Sequence, residues 1–409
     1  MYSQVDCEKK THYTQKNQKI HTILWEAFTR GEGIDYQDNH DGTIPAFMFR
    51  TGGTTGIPKE VVACGEGFNA IAEEVHCARM CNCWERQKTS LLLLPPFIAF
   101  GVSSGIHVSV TGGLKTVISL DVSPAAVSSL FKKYQPNYSI GGTVQIEQWM
   151  KDLKKQKIDL SYLQILSLGG EAMSRSFEEE LCTFLKKHHC NAIPLKGYGL
   201  TETAGGVTTE TIDAHKIGSV GIPLALCNMK IVDTDSGEEL TYNTPGEICL
   251  SSPGVMKGYF QNQQATDDII EVIDGVKWLH TGDIGFISED GLLTITGRIK
   301  RIIVCKEGII YHKVFPLLIE DQLARIPGVQ EISIVGRPDE GTSNVLVAYV
   351  VPETKDTFEQ VVNLLKAYCD DHLQSYERPV DYVYMKELPR TMIGKVDYRT
   401  LELMVSSAL

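Results

Sequence analysis

The spacing of apolar and polar residues changes character along this chain, and each change marks a different kind of structure. Residues 20–29 have the spacing of a short helix, and 31–42 form a polar, turn-rich loop. Residues 46–49 read as a strand, 51–59 as a Gly/Thr-rich loop, 60–64 as a second strand, and 65–83 as a helix. Apolar runs at 90–94, 116–120 and 138–140 then alternate with helix-like stretches at 123–134 and 144–156. Residues 163–168 form a buried-type strand ending at Gly169-Gly170, with an acidic helix at 174–188 after it. Strands alternating with helices predict a layered α/β core with a parallel sheet.

After Gly221 the texture changes. Short strands at 230–233, 246–250, 278–279 and 292–296, separated by Gly, Asp and Pro turns, predict an antiparallel β subdomain. From Lys300 a strand, a helix at 316–324, strands at 331–335 and 345–351, and a helix at 358–372 form a small α+β unit. The expected division is a polar tail at 1–18, a large body at 19–299, and the small unit at 300–409.

Composition narrows the function classes. At 409 residues the chain exceeds what one apolar core organises, and 43% hydrophobic with 22% charged residues fits a globular protein. A net charge of −12 argues against nucleic acid or a membrane surface as partner. No apolar run with a small-residue cleavage site opens the chain, and no stretch is apolar enough to span a bilayer. With no export signal, the 11 cysteines are expected to stay reduced in the cytoplasm. Cys77, Cys81 and Cys83 beside His76 invite a zinc reading. Helical spacing turns Cys83 away from the other two, so buried inert thiols are expected instead.

Candidate chemistry begins with Thr51-Gly52-Gly53-Thr54-Thr55-Gly56-Ile57-Pro58-Lys59. Glycines that let backbone amides approach, hydroxyl donors and a cation suit a polyphosphate. It is not the P-loop of ATPases, because Pro58 precedes the lysine and a strand follows. Gly197-Tyr198-Gly199-Leu200-Thr201-Glu202 offers an aromatic face, a hydroxyl, and a carboxylate able to hold Mg²⁺. His280-Thr281-Gly282-Asp283 sets an acid after a tight turn, suited to a ribose diol. Such a position is expected to matter for ligand binding and little for folding. Gly394-Lys395 presents a lysine on a Gly-flanked loop.

In this order, with Gly218-Ser219-Val220-Gly221, Pro245-Gly246-Glu247, Met256-Lys257-Gly258-Tyr259, Gly297-Arg298 and Pro389-Arg390-Thr391, these segments resemble the adenylate-forming family. That family includes acyl- and aryl-CoA ligases, luciferases and the adenylation domains of peptide synthetases. The resemblance implies ATP-dependent activation of a small carboxylic acid to an acyl-adenylate, then transfer to a pantetheine thiol of CoA or of an acyl carrier protein. It implies that Thr51, Gly53, Thr54, Thr55, Gly56 and Lys59 hold the β- and γ-phosphates. Gly169, Gly170 and Glu171, with Tyr198 and Gly199, would frame adenine. Thr201 would touch the α-phosphate, Glu202 would hold Mg²⁺, and Asp283 and Arg298 would bind the ribose. Lys395 would reach the carboxylate and the α-phosphate from a mobile C-terminal domain hinged at Lys300.

The chain departs from the family in places. Only about fifty residues precede the phosphate loop, so one side of the core sheet is expected to be exposed and covered by a homodimer or partner subunit. Gly52 stands where a serine is usual and Glu60 where a glycine is usual. No aspartate lies in 97–101 to pair an amino acid's amine. The implied pocket of Phe97, Phe100, Thr143, Val144, Gly170, Ala172, Ala204 and Gly205 is mostly apolar and suits an acyl or aryl acid. The stretch 306–316 is longer than usual near the thiol tunnel, which leaves CoA and a carrier protein both open. A nucleotide-binding protein without turnover and an amide-forming ligase are the alternatives.

Overall fold

The alternating pattern between residues 88 and 200 folds as a parallel sheet flanked by helices. The computed structural model describes residues 14–15, 18–19, 41–51, 58–78, 88–119, 121–154, 156, 158–170, 173–391 and 396–406. They belong to two bodies, Met1–Gly42 and Thr43–Leu409. In the first, β1 (Thr14–Gln15) and β2 (Gln18–Lys19) pair antiparallel, and the helix expected at 20–29 lies outside the described residues.

In the second body, β5 (Thr89–Leu93), β6 (Lys115–Ile118), β7 (Tyr138–Gly142), β8 (Ile165–Gly169) and β9 (Pro194–Leu200) run parallel in the order 6-5-7-8-9. Antiparallel β10 (Gly205–Thr209) and β11 (Ile222–Pro223) extend the sheet beyond β9. The pleat sends Leu91 and Leu93 to one face and Leu92 and Leu94 to the other. The first pair packs with Phe131, Trp149 and Leu181 beneath α3 (Pro124–Tyr134), α4 (Thr143–Leu153) and α5 (Arg175–Lys187). The second packs with Val75, Phe100 and Ile106. These come from α1 (Gly65–Cys77) and from a segment that winds as a π-helix over Gly101–His107 and as α2 over Val108–Thr111.

Each such side chain removed from water stabilises the fold by about 1.5–3 kcal/mol. Both faces of the central strands are therefore covered, while on the edge strand β6 Ile118 is 48% exposed. The helix expected to run to residue 83 ends at Cys77, which is exposed rather than buried, while Cys81 and Cys83 lie outside the described residues. The eight described cysteines are all free thiols.

The antiparallel part contains β12 (Asn228–Val232), β13 (Gly246–Ser251), β15 (Ile270–Ile273), β16 (Val276–Ile287) and β17 (Leu293–Arg298). The strand expected at 278–279 is thus twelve residues long and runs through Asp283. A third, three-stranded sheet joins β3 (Pro45–Arg50) and β4 (Glu60–Cys64) to β14 (Gly258–Tyr259), with α6 (Gln263–Asp267) against it.

From Ile303 onward the chain packs around apolar residues of its own. The hairpin β18 (Ile303–Glu307) and β19 (Ile310–Val314) turns at Gly308, whose φ of +62° is in the left-handed region. Next come α7 (Pro316–Leu323), β20 (Val329–Asp339), β21 (Ser343–Pro352), α8 (Phe358–His372), β22 (Pro379–Tyr384) and α9 (Tyr398–Ser406). Ile334, Leu346 and Ala348 face α7 and α8, whereas Val335, Val347 and Tyr349 pack with Leu401 of α9. Among the described residues no helix is long and apolar enough to cross a membrane.

Candidate functional site

Segments singled out in the sequence leave the C-terminal ends of neighbouring parallel strands, the edge where open α/β sheets bind ligands. Phe97 and Phe100 follow β5, Thr143 and Val144 follow β7, Gly170 follows β8, and Thr201 and Glu202 follow β9. Close packing explains the glycines there. A Cβ on Gly169 would lie 3.0 Å from Cζ of Phe100, and one on Gly199 would lie 2.0 Å from the Gly205 carbonyl oxygen. Gly170 has φ +88° and open space around it. Thr203, fully buried, takes a hydrogen bond from the Leu200 amide (3.0 Å) and donates to the Gly205 carbonyl (2.8 Å). That pair fixes the turn displaying Thr201 and Glu202.

Tyr198 reaches from β9 to the antiparallel part. Its hydroxyl donates to Oδ2 of Asp283 at 2.7 Å, while Nε of Arg298 sits 2.8 Å from Oδ1. Asp283 is only 4% exposed, so it is a structural group as well as a candidate ligand group. Burial first, and then the Asp283 charge, push the Tyr198 hydroxyl well above the usual phenol range and keep it a donor. The turn expected before the acid is a local kink within β16: Gly282 has φ +70° and the Asp283 amide donates to Thr281 Oγ1 at 3.1 Å. The acid lies in a β-bulge where Glu247 pairs with Ile284 and Cys249 with His280, so the three residues Thr281, Gly282 and Asp283 stand opposite Ile248 alone. Bulges of this kind re-aim side chains beside active sites. Here Asp283 turns toward Tyr198 and Arg298.

At the phosphate end, Thr51 and Lys59 close their loop from both sides. The Thr51 amide donates to the Lys59 carbonyl at 2.9 Å, and the Lys59 amide donates to Thr51 Oγ1 at 3.0 Å. Nζ of Lys59 lies 4.3 Å from the centre of the Tyr259 ring, and the Tyr259 hydroxyl donates to Oε1 of Glu202 at 2.7 Å. Burial and the Glu202 charge raise the Tyr259 hydroxyl above its ordinary range. Tyr259 was quoted in the sequence only as part of Met256-Lys257-Gly258-Tyr259; pairing of β14 with β4 gives it a place in the site.

Other expected residues fall as follows. Thr143 is buried and Val144 half-buried at the start of α4; Ala204 and Gly205 are buried, and Phe100 is half-buried. Phe97, expected to line an apolar pocket, is 74% exposed. Lys300 is exposed in the 3₁₀ turn Ile299–Arg301. Gly53, Thr54, Thr55, Gly56, Glu171, Ala172 and Lys395 lie outside the described residues. Glu202 is a hard oxygen donor of the type Mg²⁺ selects. Tyr259 occupies Oε1 and no described residue hydrogen-bonds the other oxygen, so the chemistry fits that ion.

With this geometry in place, comparisons with known proteins give the chain its relatives. Residues 4–260 match the family model of AMP-binding enzymes, and 318–395 match that of the AMP-binding enzyme C-terminal domain. A long-chain-fatty-acid–CoA ligase of Salmonella typhimurium is 30% identical over 362 residues, covering 87% of this chain and 61% of that protein. The chain thus spans less than two thirds of the length of that curated relative. ATP-bound MatB from Rhodopseudomonas palustris superposes with a TM-score of 0.76 at 23% identity, covering 88% of this chain and 68% of the other. O-succinylbenzoate CoA synthetase (MenE) from Bacillus subtilis, in complex with ATP and magnesium ion, superposes at 0.72 and 24%, covering 87% and 69%. By the extent of the family match, the order of its motifs and its fold, this chain belongs to the AMP-binding enzymes of the adenylate-forming superfamily.

Proposed function

We propose that this chain condenses a carboxylic acid with ATP and passes the activated acyl group to a pantetheine thiol. A carboxylate oxygen attacks the α-phosphorus, the bond to the β-phosphate bridging oxygen breaks, and pyrophosphate leaves. The thiol sulfur then attacks the acyl carbon and AMP departs. One observation carries the reading: Tyr198, joined to Asp283 and Arg298, and Glu202, joined to Tyr259 beside Lys59, sit four residues apart on one strand end and its turn. That spacing suits a ribose at one end and a polyphosphate at the other. Mg²⁺ held by Glu202 supplies charge neutralisation at the phosphates. The chain's own groups orient nucleotide and acid for in-line attack. Thr51, Lys59 and the loop between them bind the β- and γ-phosphates in this reading.

Residues from Lys300 onward act as a lid that brings Lys395 to the reacting atoms and then turns away. Support comes from the polar ties between lid and body. Lys313 Nζ lies 2.6 Å from Asp235, and Arg175 Nε lies 3.8 Å from Asp321. Partly exposed ion pairs of this kind contribute about 0–1 kcal/mol each, so breaking them costs little. The acid is an acyl or aryl carboxylate, and the acceptor thiol belongs to CoA or a carrier protein.

ATP–pyrophosphate exchange across a panel of carboxylic acids tests this function. Exchange that depends on one acid supports it; ATP binding without exchange on any acid overturns it in favour of nucleotide binding alone. Glu202→Gln is expected to lower Mg²⁺-dependent exchange far more than AMP affinity, since the metal serves the triphosphate and its transition state. Exchange and AMP titrations on the same folded variant check this, and full exchange would take the metal away from Glu202.

A further inference from the structure

We propose that Glu247, Cys249 and His280 form a binding site for a zinc-class divalent cation behind the Asp283 bulge. The bulge itself brings the three together: β13 contributes Glu247 and Cys249 two residues apart on one face, and β16 lays His280 opposite Cys249. Nδ1 of His280 lies 3.3 Å from Sγ of Cys249 and 2.9 Å from Oε2 of Glu247. All three ligand atoms lie within 4.8 Å of one another. Zinc bonds of ~2.0–2.1 Å to nitrogen and oxygen and ~2.3 Å to sulfur place tetrahedral ligand atoms about 3.3–3.6 Å apart. The two distances to His280 therefore need to open by only a few tenths of an ångström to admit the ion.

The surroundings have the form that metal sites require. Nε2 of His280 faces Oε2 of Glu271 at 3.5 Å, the carboxylate–histidine arrangement that orients a ligating imidazole. Oε1 of Glu247 accepts the Gly282 amide at 3.0 Å, which holds the carboxylate and leaves Oε2 directed at the histidine. Cys249 is fully buried, whereas the His280 side chain is 31% exposed, so the sulfur forms the closed floor and the fourth coordination position opens toward solvent. Thiolate, carboxylate and neutral imidazole balance a divalent charge, and a thiolate in the set favours zinc over Mg²⁺.

A second cluster of the same residue types shows the difference. Glu178, Glu210 and His215 also converge, but Nζ of Lys196 lies 2.5 Å from Glu178 and 3.6 Å from Glu210. That place already holds a cation.

The test uses the full, untagged chain, stripped with a chelator, dialysed and titrated with Co²⁺ and then Zn²⁺. One Co²⁺ per chain should bind with a thiolate-to-cobalt charge-transfer band, and Zn²⁺ should displace it. Cys249→Ser should abolish the band. Glu247→Gln and His280→Gln should weaken binding, and Glu271→Gln, at an exposed position, should weaken it by about 10–100-fold. Circular dichroism reports whether each variant is folded, and the Glu271 and Glu247 variants keep the test open if Cys249→Ser fails to fold. Absence of the band in the folded parent chain, its persistence in Cys249→Ser, or unchanged affinity in both Glu247→Gln and Glu271→Gln would overturn the proposal.

Discussion

Replacing Lys395 by alanine is expected to lower acyl-adenylate formation by ~10²–10³-fold, because a preorganised charge is removed from a developing anion. The loop carrying it is closed at its base by a bridge between Arg390 and Val396 and by the Asp397 amide donating to the Pro389 carbonyl at 2.8 Å. Arg390 is tied in turn to Glu331 of β20 at 2.7 Å. Under the proposed lid motion the lysine would travel with the lid rather than with the body. If the lid turns about Lys300 between the half-reactions, the same variant should make thioester from preformed acyl-adenylate at nearly the parental rate. Pyrophosphate exchange reads the first step, and thiol consumption with synthetic acyl-adenylate reads the second. Equal loss in both, with folding intact, would remove the rotating lid from the mechanism.

Asp283→Ala should act on two properties at once. A hydrogen bond to a charged group contributes about 1.5–3 kcal/mol, which predicts ATP affinity about 10- to 150-fold weaker. The sequence alone predicted that folding would be spared; the structure predicts otherwise. Without the carboxylate, the Tyr198 hydroxyl is left buried without its acceptor and Arg298 loses its partner. An unsatisfied buried donor costs about 1–3 kcal/mol, visible as a lower urea midpoint at unchanged slope. Tyr198→Phe on the same background should recover part of the stability, since removing both partners costs less than removing one. Affinity would stay low. A fully stable Asp283→Ala that binds ATP normally would remove the carboxylate from the site.

The sequence made the parallel sheet legible because its strands are near-continuous apolar runs, as at 90–94 and 163–168, and those survive burial on both faces. The helix at 358–372 appears with the same limits because its apolar spacing is regular throughout. The segment Gly101–His107 was not anticipated. Its Gly, Ser and His residues have no clean helical period, and it is shaped by close approach to Pro95 and Leu92, where added Cβ atoms would collide. The Asp283 bulge was also hidden, since register between β13 and β16 depends on residues some 35 positions apart. Motif order pointed to Tyr198, Glu202 and Asp283, but it did not reveal that Asp283 and Tyr198 hold each other, or that Tyr259 joins them. Such contacts cross between sheets and leave no periodic trace.

The short strand Gly258–Tyr259 also sets an order of events during synthesis. It pairs with Val61 and Val62, roughly 200 residues earlier, and is the third strand of the sheet that carries the Thr51–Lys59 loop. A ribosome-bound chain ending before that point presents β4 as an open edge, without its neighbour and without the tyrosine that meets Glu202. Long-range closure of this kind is slow, since loop entropy must be overcome before the contact forms. The three-stranded sheet at the phosphate end is therefore incomplete in any nascent chain that has not reached Tyr259. During that interval the exposed edge is the surface on which chaperones would act.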